Sequence, residues 1–136
     1  PPPRQHAPQA DATLQSAVFA GKPAWAAYSE SIINSQSSAY TTTWSDQHKV
    51  VLHPSSDTTA RTFTIDSNAN VPYPLGAELV FVNQDSAGVL TIAITSDTMR
   101  LAGAGTTGNR SLAANGIARA RKLSATEWII DGTGLT

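Results

Sequence analysis

The residues whose types could do chemistry are few in this chain, and their spacing argues against each chemistry in turn. His6, His48 and His53 are the only imidazoles. On an extended strand, positions five apart point to opposite faces, so His48 and His53 do not chelate one ion from within their segment. Both read as surface or rim histidines. The carboxylates fall singly, as Asp46, Asp57, Asp66, Glu78, Asp85, Asp97, Glu127 and Asp131, with Asp11 and Glu30 nearer the start. Local spacing pairs no two of them for acid–base work. Gly103-Ala-Gly105-Thr-Thr-Gly108 matches the letters of G-x-G-x-x-G, whose glycines let a pyrophosphate approach a helix N-terminus. That fingerprint needs a βαβ setting, whereas Asn109, Arg110 and Ser111 lead into another short strand. The loop reads instead as an end loop available to a partner. No serine sits in a G-x-S-x-G elbow. With no cysteine, the chain has no disulfide framework, thiolate metal site or thiol nucleophile. The expectation is a noncatalytic protein with no metal and no cofactor.

Arg110, Arg119, Arg121 and Lys122 form the one basic concentration. A nucleic-acid site needs a broader basic stripe and a positive chain, and the net charge here is −1. If 116–123 is a strand, Arg119 and Arg121 share a face with Ile117 and Leu123. Either a bulge switches the alternation, or Ala118 and Ala120 pack inward and the arginines reach across a subunit contact. Arg110, Arg119 and Arg121 are therefore candidate partner-binding residues. Asn109-Arg110-Ser111 fits the glycosylation sequon but has no secretory signal with it.

The elements that would carry these residues are β-strands. The chain has 136 residues, of which 14% are charged and 40% hydrophobic, and 14 Ser and 16 Thr supply the polar surface. A charged fraction near a quarter is usual, so this surface is unusually neutral. Its length suits one core, and its longest apolar runs, such as Leu79 to Val82, are too short to span a membrane. From about Trp44, alternating segments recur every eight to twelve residues, as in an all-β sandwich or barrel. The expected strands are 48–53, 61–66, 77–83, 88–95, 116–123 and 126–131. Alternation is cleanest where Phe63 and Ile65 oppose Thr62 and Thr64, and where Leu90, Ile92 and Ile94 oppose Thr91 and Ala93. Breaks are expected at Pro54–Asp57, Val71–Gly76, Asn83–Gly88, Asn115-Gly116 and Asp131-Gly132.

Residues 1–43 differ in texture. Pro1, Pro2, Pro3 and Pro8 favour an extended arm, and Trp25, Tyr28 and Ile32 suggest a short helix behind Pro23. A Ser/Thr stretch, Ser35 to Thr43, reads as a linker. The first residue is Pro1 rather than Met, as after a trimmed initiator or a processed precursor. In the arm, Leu14, Val18 and Phe19 are the apolar anchors expected to meet a partner, because the segment holds too little apolar surface to offset its own ordering entropy.

Residues 71–136 carry a resemblance. The runs Tyr73-Pro-Leu-Gly-Ala-Glu-Leu-Val-Phe-Val-Asn-Gln84, Gly88-Val-Leu-Thr-Ile92, Arg100-Leu-Ala-Gly-Ala-Gly105, Ser111-Leu-Ala-Ala-Asn-Gly116 and Glu127-Trp-Ile-Ile-Asp-Gly-Thr-Gly-Leu135 resemble the β-domain that recurs in structural proteins of tailed bacteriophages. The resemblance covers about half of the chain, and its size is similar to a capsid cement or decoration protein. It implies an antiparallel, jelly-roll-like β-sandwich over 44–136 with an extended Pro-rich N-terminal arm. It further implies a place on the capsid exterior, with the major capsid protein as partner and no nucleic acid or membrane. The neutral surface and open sheet edges add self-association as a homodimer or homotrimer. Trp128 reads as a core or end-cap aromatic. The alternative is a carbohydrate- or receptor-binding module of a tail fibre or spike, with Trp44, Tyr73 or Trp128 stacking on sugars.

Overall fold

Residues 32–136 are described by the computed structural model, and they form nine strands and one 3-10 turn, Trp44–Asp46. The strands are β1 (Ile33–Ser35), β2 (Tyr40–Thr41), β3 (Val50–His53), β4 (Arg61–Ile65), β5 (Glu78–Asn83), β6 (Leu90–Ile94), β7 (Thr98–Leu101), β8 (Arg110–Ser124) and β9 (Glu127–Leu135). The Pro-rich arm, the helical pattern behind Pro23, and Leu14, Val18 and Phe19 lie outside the described residues. Two strands, β1 and β2, fall before the expected start of the β-region at Trp44, and β7 adds a third that alternation did not mark.

Strands β1, β3 and β5 stack in one ladder and β2, β4 and β6 in a second. The chain steps from one ladder to the other at each connection between β1 and β6. A strand that returns to its own ladder after a full coil runs in the same direction as its predecessor. Val50 therefore faces Val80 in parallel register, as Phe63 faces Ile92. Long β8 then joins the ladders: Arg110–Leu112 pair antiparallel with β6, and Gly116–Arg121 pair antiparallel with β5. The result is one curled, partly barrel-like sheet of order β1-β3-β5-β8-β6-β4-β2, extended by β9 on β8 and β7 on β9. Five of the eight pairings are parallel, so the expected antiparallel arrangement is corrected to a mixed sheet. Alternation reports which face a residue takes and is blind to strand direction, which the coiled path sets.

The first and last strands of that order meet through polar side chains. Asn34 Nδ2 donates to Tyr40 Oη and to Asp46 Oδ1, each at 2.9 Å. Tyr40 Oη in turn donates to Asp46 Oδ2 at 2.6 Å. The Thr43 amide donates to the same carboxylate at 2.7 Å, which fixes the 3-10 turn.

Asn115-Gly116, expected as a break, is a bulge inside β8. Register shifts between Leu112 and Ile117, and Asn115 sits at φ 67°, a conformation Asn tolerates well for a residue with a side chain. The bend falls where β8 leaves β6 for β5. Asp131-Gly132 is likewise no break, since β9 runs through it to Leu135. A Cβ at Gly132 would run into the carbonyl oxygen of Ile117, so glycine lets β9 lie close against β8.

The interior is filled from both ladders by Val51, Phe63, Ile65, Leu79, Phe81 and Ile92, all fully buried. Small Ala118 and Ala120 on β8 leave room for Trp128 and Ile130. Trp128 is 0% exposed and meets Tyr73 edge-to-face at 5.4 Å. Burial pushes the Tyr73 hydroxyl up to about 12. It remains a donor to the Thr43 carbonyl at 3.1 Å and lies 2.7 Å from Thr42 Oγ1.

Two buried polar groups tie connections to this core. His53, expected at the rim, is 0% exposed because its parity on β3 points inward with Val51. Asn83 Nδ2 donates to the Gly88 and Leu112 carbonyls, which turns Asn83 Oδ1 toward His53 Nδ1 at 2.8 Å. His53 Nε2 lies 2.8 Å from Asp57 Oδ2, and Arg61 Nε donates to that oxygen at 2.7 Å. Lys122 continues the inward parity of Ala118 and Ala120 and is 1% exposed. Its Nζ donates to Asn68 Oδ1 at 2.6 Å and to the Tyr73 carbonyl at 2.9 Å, and burial pulls its pKa below the usual lysine value.

Two predictions follow from this packing. Trp128→Ala should lower stability by about 3–5 kcal/mol, read from the urea midpoint. Trp128→Phe should cost clearly less, because Trp128 Nε1 has no hydrogen-bond partner among the described residues and the change also removes that donor. Equal losses for the two variants would refute this account. The second prediction concerns acid. Arg61 and then His53 hold the Asp57 carboxyl well below the usual carboxylate range. A depressed folded value contributes stability that is complete above the unfolded value of about 3.9 and is lost as pH falls below it. The urea midpoint of the wild type should therefore fall more steeply below pH ~4 than that of Asp57→Asn. Parallel curves would show that the carboxylate contributes nothing.

Candidate interaction surface

Each ladder has an outward face as well as an inward one, and the two outward faces differ in chemistry. On β4 and β6, cross-strand register sets Thr62 beside Thr91 and Ser111, and Thr41 beside Thr64 and Ala93. That side is lined with hydroxyls. On the other ladder, one row runs Ile33, Val50, Val80, Arg119 and Asp131, and the next runs Ser35, Leu52, Val82, Ile117 and Thr133. Six aliphatic side chains thus stand together on the outside of the sheet. Ile33 is 56% and Ile117 37% exposed, while Val50, Leu52, Val80 and Val82 are half-buried.

The sequence carried a signal for this face. Val50-Val-Leu52 and Leu79-Val-Phe-Val82 are unbroken apolar runs, the pattern of strands covered on both sides, whereas β4 and β6 alternate with threonine.

Arg119 and Arg121 project from this same face, because Ala118 and Ala120 are 0% exposed and take the interior. No bulge intervenes between them, and of the two arrangements expected for β8 the inward packing of Ala118 and Ala120 is present. Arg121 Nη2 donates to Glu78 Oε2 at 3.0 Å and its Nη1 to the Gly76 carbonyl at 3.1 Å. Arg100 Nε pairs with Glu127 Oε2 at 3.1 Å on the far side. Arg119 makes no ion pair or side-chain hydrogen bond among the described residues, although Asp131 stands opposite it on β9. Glu78, Arg119, Arg121 and Asp131 line a shallow depression with Ile129 and Ala102.

Arg110 does not join them. It has the inward parity of buried Leu112, across the bulge from Ile117, and donates to the Asn109 carbonyl at 2.8 Å and to Thr106 Oγ1 at 3.3 Å. The Gly103–Gly108 loop between β7 and β8 folds back on β7, with Gly105 N donating to the Leu101 carbonyl at 2.8 Å and Arg100 bridging Thr107. An open polar cleft beside it is lined by Thr95, Asp97, Thr98, Thr107 and Asn109. Two of its polar groups are engaged, Asp97 by the Asn68 amide and Asn109 by the Ile94 amide.

Of the aromatics considered as sugar platforms, Trp128 and Tyr73 are buried, and Trp44 alone is exposed, at 54%. Trp44 lies parallel to Tyr73, with ring centres 6.3 Å apart. Among the described residues no group of three His, Asp or Glu side chains is placed to hold a metal, and no helix is long and apolar enough to cross a membrane. The two-row aliphatic face with its arginine rim is thus the feature the fold presents most clearly to a partner. Searched against protein families, curated proteins and solved structures, the chain matches none of them.

Proposed function

We propose that this chain is a noncatalytic structural protein of a tailed-phage virion, which binds the outside of the capsid and cements neighbouring capsid subunits. The observation that supports this reading is the outward aliphatic face. Six aliphatic side chains in register, bordered by charges, form a surface that water wets poorly and that a protein neighbour covers. Surface complementarity, with no bond made or broken, is the mechanism. On this reading the curled sheet plays the part that a jelly-roll-like sandwich plays in that group. The Pro-rich arm, with Leu14, Val18 and Phe19, is the second contact, and joining two contacts in one chain raises the effective concentration of the second once the first is made.

One observation favours a second reading. Trp44 is an exposed aromatic backed by a parallel tyrosine, the geometry of a stacking platform for a sugar ring, as in a carbohydrate-binding module of a tail fibre or spike.

The test is to add the full chain back to phage heads stripped of it and count the bound copies. A cement protein should saturate at hundreds of copies per head, and deletion of residues 1–22 should weaken binding sharply while leaving the β-region folded. Absence of binding to heads, with a few copies recovered on tails, would replace this reading by the second. A truncated chain that decorates heads as tightly as the full one would remove the arm from the mechanism.

A further inference from the structure

We infer that the outward face of β1, β3, β5 and β8 is where a second copy of this chain packs. The inference rests on the reading of the chain as an assembly protein and names the neighbour that covers this face. It does not depend on the capsid.

The first argument is positional. Both ladders belong to one coil, are built from the same segment of chain and have equally well-filled inward faces. Their outward positions nevertheless differ in kind. Thr41, Thr62, Thr64, Thr91 and Ser111 cover one side, with Ala93 among them, and Ile33, Val50, Leu52, Val80, Val82 and Ile117 stand on the other. An overall apolar composition would load both sides alike. Half-buried valine and leucine on a solvated strand give up free energy that threonine at the same positions would not, and covering them recovers it.

The second argument is charge. Arg119, Arg121 and Arg100 are matched on this face and its margin by Glu78, Asp131 and Glu127, so the border is neutral. Two of the pairs are satisfied within the chain, as Arg121 with Glu78 and Arg100 with Glu127. Arg119 and Asp131 are cross-strand neighbours and form no ion pair among the described residues. Among the described residues the face therefore presents one cation beside one anion, neither of them in an ion pair. A polyanion or an acidic surface would satisfy only one of them. A second copy brings the same two charges, and a two-fold arrangement, in which residue i of one copy meets residue j of the other and the converse, can use both.

The third argument is size. With β9 added at its border, the face has two outward positions on each of β1 and β3 and three on each of β5, β8 and β9, and at strand and row spacings of about 4.8 and 6.8 Å these cover about 400 Å². Self-pairing would bury about 800 Å² in total, the size of a weak, reversible interface. Two such faces packed at the usual sheet-to-sheet spacing of about 10 Å would make a sandwich across the interface.

Sedimentation equilibrium of the full chain tests this directly. The wild type should approach twice its 14.3 kDa mass at concentrations well above micromolar. Ile117→Asp and Ile33→Asp should each weaken association at least tenfold. Both residues are already more than a third exposed, so the fold survives the changes, which an unchanged melting temperature verifies. Thr91→Asp, on the hydroxyl side, should leave association as it is. A wild-type chain that stays at 14.3 kDa overturns the inference, as does a dimer that Thr91→Asp splits and both isoleucine variants leave intact. The capsid reading fails separately. A monomer that still decorates stripped heads would overturn only the self-association, and a dimer split by Ile117→Asp that ignores heads would uphold it and remove the capsid.

Discussion

Strand β8 hydrogen-bonds to both ladders at once, and the rest of the architecture depends on that double pairing. A single extended strand is straight, yet the last strands of the two ladders, β5 and β6, belong to different ladders and pair antiparallel with successive stretches of β8 on either side of the connection Gln84–Val89. To follow both, β8 must bend between Leu112 and Ile117, and the left-handed backbone of Asn115 supplies the bend. After it, parity is fixed for the remainder of the strand. Ala118, Ala120 and Lys122 go in, and Ile117, Arg119, Arg121 and Leu123 go out. The inward alanines are small enough for the Trp128 indole to reach the centre, and Gly132 lets β9 come close enough to carry it there. Lys122, forced inward at the end of this parity, is accommodated by Asn68 and the Tyr73 carbonyl and so anchors the connection before β5.

How much of this could be read beforehand depended on the ladder. On β4 and β6 the alternation of Thr with Phe, Ile and Leu announced both the strand and its buried face, and Phe63, Ile65, Leu90 and Ile92 are in the core as expected. On β3 and β5 the runs Val50-Val-Leu52 and Leu79-Val-Phe-Val82 announced strands, but their lack of alternation concealed that the outward half is a surface. Direction was illegible throughout, because parallel neighbours are about 30 residues apart between Val50 and Val80 and no local pattern encodes a partner at that distance.

Single residues misled for physical reasons too. Asn115-Gly116 has the composition of a tight turn, and the same tolerance of positive φ serves a bulge equally well. His53 had the signature of a rim residue until Asn83, 30 positions away, supplied its acceptor. Of the arginines grouped by sequence, Arg119 and Arg121 come together and Arg110 does not, since even-numbered positions of β8 face inward and odd-numbered ones outward along its whole length. The burial of Trp128 was expected, whereas the exposure of Trp44 was beyond reach, because it follows from the short 3-10 turn that Asp46 pins.

The coil also has an end. In the described residues β1 and β2 pair on one side only, and they are three and two residues long. An unpaired strand edge is ordinarily a template, on which another chain can lengthen the sheet and be lengthened in its turn. Edges this brief offer an incoming strand only a few backbone hydrogen bonds, too few to hold it in register. Propagation along the coil is therefore frustrated at its first step, while the lateral aliphatic side is the one proposed above to associate. A molecule so divided favours closed assemblies of defined size over fibres, which suits a component present at high local concentration.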